Sequence, residues 1–188
     1  DVPGLLNQDE LDVAIASEPE SRAESLICDP LLRDPFVLVM QKNAGFDPVA
    51  LLDGSDALPF LRFNREHLIG MQVEAHLARN RITLPDRYAF DSVQSILAIV
   101  ADGNGWSIIT PLGFARAQRF AERVALHPLP LPDFARRISL MSRSDSDRPV
   151  AHAIAALLRS IVAQSEVGPI IAAYPWLAGV FATLDPSD

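Results

Sequence analysis

Residues Phe90 to Pro111, FDSVQSILAIVADGNGWSIITP, leave the chain few choices: a capped amphipathic helix must hand over, through a two-glycine turn, to a short strand. Asp91 and Ser92 can each accept hydrogen bonds from the first free N–H groups of a helix, and Gln94 follows Asp91 at the capping-box spacing. Val93, Ile96, Leu97 and Val100 recur on one helical face. Gly103 and Gly105 supply the stop, Trp106 to Ile109 favours a strand, and Pro111 closes it. Such a unit buries its apolar side on a sheet and leaves the helix N-terminus, with its unpaired donors, facing outward.

The remaining chain follows the same alternation. Leu5 to Asp9 reads as a helix end that feeds a short buried strand at Leu11 to Ala16, followed by a polar loop over Ser17 to Ser25. Phe36 to Gln41 is the clearest strand, apolar throughout and expected to be covered on both faces. A turn at Leu51 to Ala57, a strand at Leu58 to Phe63 and a helix at Arg65 to Arg81 with an inner stripe of Ile69, Val73 and Leu77 come next. Gly113 to Arg123 is helix-like, and Val124 to Pro132 has prolines that confine it to an extended edge. Ile138 to Met141 is a strand, Ser142 to Arg148 a loop, and Val150, Ile154, Leu157, Leu158 and Ile161 mark an amphipathic helix. Strands alternating with helices indicate an α/β fold with largely parallel sheets.

Composition narrows the function classes. The chain has 188 residues, a formal net charge of −8 and a pI near 4.9, which argues against a nucleic-acid-binding surface. Cys28 is the single cysteine, so no disulfide framework exists and a cytoplasmic location is expected. Cys28 reads either as a small packing residue or as a redox sensor, and it has no second cysteine as a resolving partner. Val167 to Leu184 is the most membrane-like stretch. Its Gly168, Pro169, Pro175 and Gly179 favour a packed or interfacial element, so no membrane partner is expected. His67, His76, His127 and His152 lack ligand-like spacing, and no P-loop, dinucleotide fingerprint or nucleophile elbow is present. No metal, no cofactor and no enzymatic activity are therefore expected.

The Phe90 to Pro111 segment resembles a landmark of the LysR-type transcriptional regulators, whose effector-binding domain carries a helix, a Gly-x-Gly turn and a short strand ending in proline. Asp9 to Ser17 (DELDVAIAS), Leu32 to Asn43 (LRDPFVLVMQKN) and Arg136 to Leu158 (RRISLMSRSDSDRPVAHAIAALL) match in the same order. The resemblance implies two Rossmann-like lobes joined by two crossover strands, a type-2 periplasmic-binding-protein-like fold. The first lobe would comprise residues 1–32 and 137–188, and the second 33–136. Relative to the family, the first strand-helix-strand unit and the winged helix-turn-helix are absent, and a C-terminal extension follows the final helix. Function on this reading is sensing of a small anionic metabolite, such as a carboxylate, by a homodimer or homotetramer. DNA would be reached only through a domain this chain lacks. A transport-associated solute-binding protein and a catalytic relative of the same fold are the alternatives.

Candidate ligand contacts follow from strand ends and helix starts. Ser92 sits where a helix N-terminus suits an anion, and capping of its own helix competes with that role. Arg62 and Asn64 lie at the carboxyl end of a strand, where open α/β folds bind ligands and an arginine can clamp a carboxylate. Ser17 occupies the equivalent strand end in the first lobe, with turn capping as its other reading. Thr110 and Pro111 end the second-lobe strand, a corner at which the resemblance implies effector contact.

Overall fold

The computed structural model describes residues 6, 11–18, 26–54, 58–143 and 148–185. The chain divides into two compact units, Asp1–Pro35 with Ala135–Asp188, and Phe36–Phe134.

Unit 2, the contiguous one, is built on strands β3 (Val37–Gln41), β4 (Leu61–Phe63), β5 (Tyr88–Phe90), β6 (Ser107–Ile109) and β7 (Val124–His127). β4 and β5 pair in parallel, a parallel bridge from Phe60 to Trp106 joins β4 to β6, and β3 lies antiparallel between β6 and β7. The order is thus β5-β4-β6-β3-β7, with β3 reversed against the others. Helices α1 (Pro48–Leu52), α2 (Leu68–Arg79), α3 (Val93–Ala101) and α4 (Pro111–Ala115) complete the unit. β3 is buried along Val37 to Met40. Leu38 and Met40 join Phe36, Val73, Leu77, Phe60 and Trp106 in one core, while α3 brings Ile96, Leu97 and Val100, all fully buried, onto the strand. Each such side chain contributes about 1.5–3 kcal/mol.

α1 takes up Leu51 and Leu52 of the turn expected at Leu51 to Ala57; Asp53 and Gly54 turn as expected, and residues 55–57 lie outside the described set. Asp47 caps it by accepting from Val49 N at 3.0 Å, with Pro48 at the first helical position. α3 ends where Gln41 Nε2 donates to the Ala101 carbonyl at 3.1 Å. Gly103, at φ 78°, leaves room for that glutamine, because a Cβ there would stand 2.8 Å from Gln41 Oε1. The helix expected over Gly113 to Arg123 is shorter, α4 followed by a 3₁₀ turn at Gln118–Phe120.

Unit 1 holds β1 (Val13–Ser17), β2 (Leu26–Pro35), β8 (Ala135–Arg143) and β9 (Ala182–Thr183) in the order β1-β8-β2-β9, each neighbouring pair antiparallel. β1 is half-buried rather than buried, with Ile15 55% exposed at the sheet edge. The β2–β8 register runs through Asp34↔Arg136 and Pro35↔Ala135. That ladder carries the unit past the expected boundaries at 32/33 and 136/137 to Pro35 and Ala135. A bulge skips Leu31 next to Pro30, which has no N–H to give the ladder.

The expectation of largely parallel sheets therefore needs correction. β1 and β2 run the same way with β8 inserted in reverse between them, and β6 and β7 run the same way with β3 inserted in reverse. Each inserted strand begins where the chain has just changed unit, so no right-handed helical crossover joins it to its neighbours.

α5 (Arg148–Val162) continues through a π turn (Ala163–Val167) into α6 (Gly168–Ala173). By length and composition this helical run could cross a membrane. It meets the unit 1 sheet through Ala151 and Ala155, while Ile154 and Leu158 of the expected apolar stripe are half-buried and Val150, Leu157 and Ile161 are exposed. Two small residues let the backbone approach the strands closely and turn the larger side chains away. Beyond α6, Leu177 and Phe181 are fully buried, and β9 pairs with β2. Of the other sequence expectations, most of Leu5 to Asp9, residues 19–25 and residues 144–147 lie outside the described set; Leu6 is helical and buried.

Candidate functional site

Three strands of unit 2 end at one edge of its parallel part, and each hands over to candidate residues. β4 leads to Asn64, β5 to Asp91 and Ser92, and β6 to Thr110. Carboxyl ends of parallel strands are where open α/β sheets leave room for ligands. Ser92 is exposed and caps α3, its Oγ accepting from Ser95 N at 3.1 Å and meeting Ser95 Oγ at 3.0 Å. The capping box imagined around Asp91 and Gln94 does not form, because Ser92 takes the cap. Asp91 turns instead to Asn64, whose Nδ2 donates to it at 2.9 Å, and to His67 Nε2 at 3.1 Å. The Asn64 hydrogen bond, with that of His67, holds the Asp91 carboxyl below the usual carboxylate range. Its negative charge is thus engaged by Asn64 and His67.

Thr110 is buried and caps α4, accepting from Gly113 N at 3.2 Å. Pro111, also buried, is the first residue of α4 and has no N–H to offer. A Cβ on Gly113 would lie 3.7 Å from Val93 Cγ2 and 3.4 Å from Thr110 Oγ1, so the starts of α3 and α4 adjoin. Ser95 belongs to this face and is not among the residues the sequence singles out. Its position three residues beyond a serine cap was the available signal.

Arg62 is placed differently from the open strand end imagined for it. It is 4% exposed, paired with Glu74, donating to the Leu84 carbonyl and lying 5.1 Å from the Phe60 ring centroid. Its Nε, buried and without a hydrogen bond, stands 3.4 Å from Asp86 Oδ1. Arg65 extends the network to Asp86 at 2.9 Å and Glu74 at 3.5 Å. A guanidinium so engaged braces β4 against α2 and the segment before β5. Ser17 is half-buried at the end of β1 in unit 1, in register with Ile138. Among the described residues no group of His, Cys, Asp and Glu side chains could hold a metal ion.

The profile of the family described as LysR substrate binding domain matches residues 1–163. No curated protein sequence matches the chain. Among solved structures, an OxyR mutant of Corynebacterium glutamicum aligns over 98% of this chain with a TM-score of 0.67 and 22% identity. This chain spans 56% of that OxyR chain. The effector-binding domain of QuiR in complex with shikimate aligns over 85% of this chain and 75% of its own, with a TM-score of 0.61 and 18% identity. The regulatory domain of CcmR from Synechocystis, in complex with 2-PG, gives 87% and 79%, a TM-score of 0.62 and 17% identity. These likenesses show the type-2 periplasmic-binding-protein-like α/β fold. With the family profile covering most of its length, the chain belongs to the LysR substrate-binding-domain family, the effector-binding module of LysR-type transcriptional regulators.

Proposed function

We propose that this domain senses a small anionic metabolite, with a carboxylate or phosphate group seated at the start of α3. The convergence of Ser92, Ser95 and Asn64 at the carboxyl ends of β4 and β5 carries the reading. A nine-residue helix presents its unpaired N–H groups and partial positive charge there. Thr110 and Pro111 shape the adjoining corner from behind. Two structural neighbours are complexes with shikimate and 2-PG, both small anions. Ser17 remains the candidate contact of unit 1. Arg62 acts at one remove, by holding β4 and hence Asn64 in place. The protein containing this domain would act as a cytoplasmic homo-oligomer, and its response would reach DNA through a domain outside this chain.

Calorimetric titration with shikimate, 2-phosphoglycolate and simple carboxylates tests the ligand class. Two substitutions separate capping from contact. Ser92→Ala removes cap and hydroxyl together and costs about 1 kcal/mol of stability, whereas Ser92→Gly costs a few tenths. Both should weaken the binding of a true anionic ligand about tenfold or more, the loss of one hydrogen bond to a charged group. Unchanged affinity in both variants would remove Ser92 from the site, leaving it as a cap alone.

A further inference from the structure

We propose that α2 is a strut coupling the Ser92 face to the residues at which the chain enters and leaves unit 2, with His76 as its positioning residue. The proposal deepens the effector-site reading above and rests on it for its functional meaning.

The amino end of α2 is fastened to the candidate site. His67, its N-cap residue, donates its backbone N–H to the Asn64 carbonyl at 3.0 Å and brings its ring to Asp91. One turn on, Gly70 lies so close to the same carbonyl that a Cβ would stand 2.1 Å from the Asn64 oxygen. Only glycine permits that approach. The loop that presents Asn64 therefore rests on the helix backbone with no compressible side chain between.

The carboxyl end is fastened elsewhere. The buried His76 ring stacks on Phe134 at 4.0 Å between centroids and 8° between planes. Phe134 stacks in turn on Phe36 at 4.0 Å and 9°. Phe36 and Phe134 are the first and last residues of unit 2, and Phe36 N donates to the Phe134 carbonyl at 2.8 Å. The edge of the His76 ring is held as well, by the Pro132 backbone and, at 3.4 Å, by Asn80 Nδ2. A phenylalanine at this position would keep the stack and lose those edge contacts.

Between the two ends Val73 and Leu77 are buried in the core. A 12-residue helix, about 18 Å long, moves as a body rather than bending within itself. A ligand that shifts Asn64 would push on Gly70, and His76 would carry the displacement to the Phe134–Phe36 pair. Packed elements with few alternative arrangements transmit such shifts rather than absorb them.

The experiment follows the Asn64 side-chain amide and the His67 ring by NMR in the whole, ligand-free chain. Phe134→Leu and His76→Ala are expected to move both signals, and His76→Phe to return them towards the wild-type positions. Val124→Ala, a core change in β7, should leave them in place. A purely structural His76 would lower thermal stability without moving either signal. The proposal is overturned if Phe134→Leu, with its smaller risk to folding because Phe134 is only half-buried, leaves both signals unmoved. It is equally overturned if Val124→Ala moves them as far. Since no ligand is added, the strut can fail while the effector site stands, and the reverse.

Discussion

Asp34 has no solvent exposure, and Arg136 answers it from the facing strand with Nε at 2.9 Å and Nη2 at 2.8 Å from one carboxylate oxygen. Taking the guanidinium from beside a buried carboxylate is destabilising, so Arg136→Ala should lower the urea midpoint, while the double change Asp34→Leu with Arg136→Met should recover most of the loss. Acid should act through two histidines. Burial pushes His76 below its ordinary value of 6.5, assisted by Arg79, and burial does the same to His127. The folded state thus holds protons less readily than the unfolded chain. Stability from these rings is complete above pH 6.5 and is lost as pH falls through that value towards the folded pKa values. Urea midpoints compared at about pH 7.5 and pH 5 should drop on the acid side, and substituting both histidines by Phe should flatten the difference. Arg62 shows what the residue scale hides from sequence reading. Its strand-end position was legible, but its partner Glu74 lies 12 residues away on a helix, and only the folded packing shows that the charge is already taken.

At the scale of elements, α3 and the turn into β6 are readable because apolar spacing, a serine cap and glycine stops agree over one continuous stretch. α1 rested on the Asp47-Pro48 pair alone and was overshadowed by Gly54 and the polar residues after it. Strand direction leaves no trace in apolar periodicity, which is why the reversal of β3 and β8 had to be seen. The face that α5 turns to its sheet was only partly legible for a related reason: Ile154 and Leu158 of the larger residues are half-buried, while Ala151 and Ala155 are the fully covered ones. The C-terminal segment is an element in its own right. Arg33 Nη1 donates to the Val180 carbonyl at 2.6 Å, Leu184 N donates to the Leu31 carbonyl at 3.0 Å, and β9 covers the outer edge of β2. Phe181→Ala should cost about 3–5 kcal/mol. Ending the chain after Val167 should uncover that edge, and sedimentation should then show association beyond that of the whole chain. A truncated chain that stays as dispersed as the parent would deny the segment this protective role.

For the whole molecule, the nested arrangement matters most. Unit 2 is one uninterrupted stretch from Phe36 to Phe134, whereas unit 1 is assembled from two stretches that flank it. β8 is the middle strand that both β1 and β2 require. On a ribosome the inner unit can be complete while more than half of the outer one has still to be made. Until residue 143 emerges, β1 and β2 have no strand to lie between them. Unit 2 should therefore acquire protease resistance first, and a separately expressed 36–134 fragment should fold, whereas residues 1–35 alone should not. Pulse proteolysis of arrested nascent chains of increasing length would record that order. A shared time of protection for both units would show instead that they fold as one cooperative body. The inserted strand thus acts as a clock: the outer unit cannot close until synthesis has passed through the inner one.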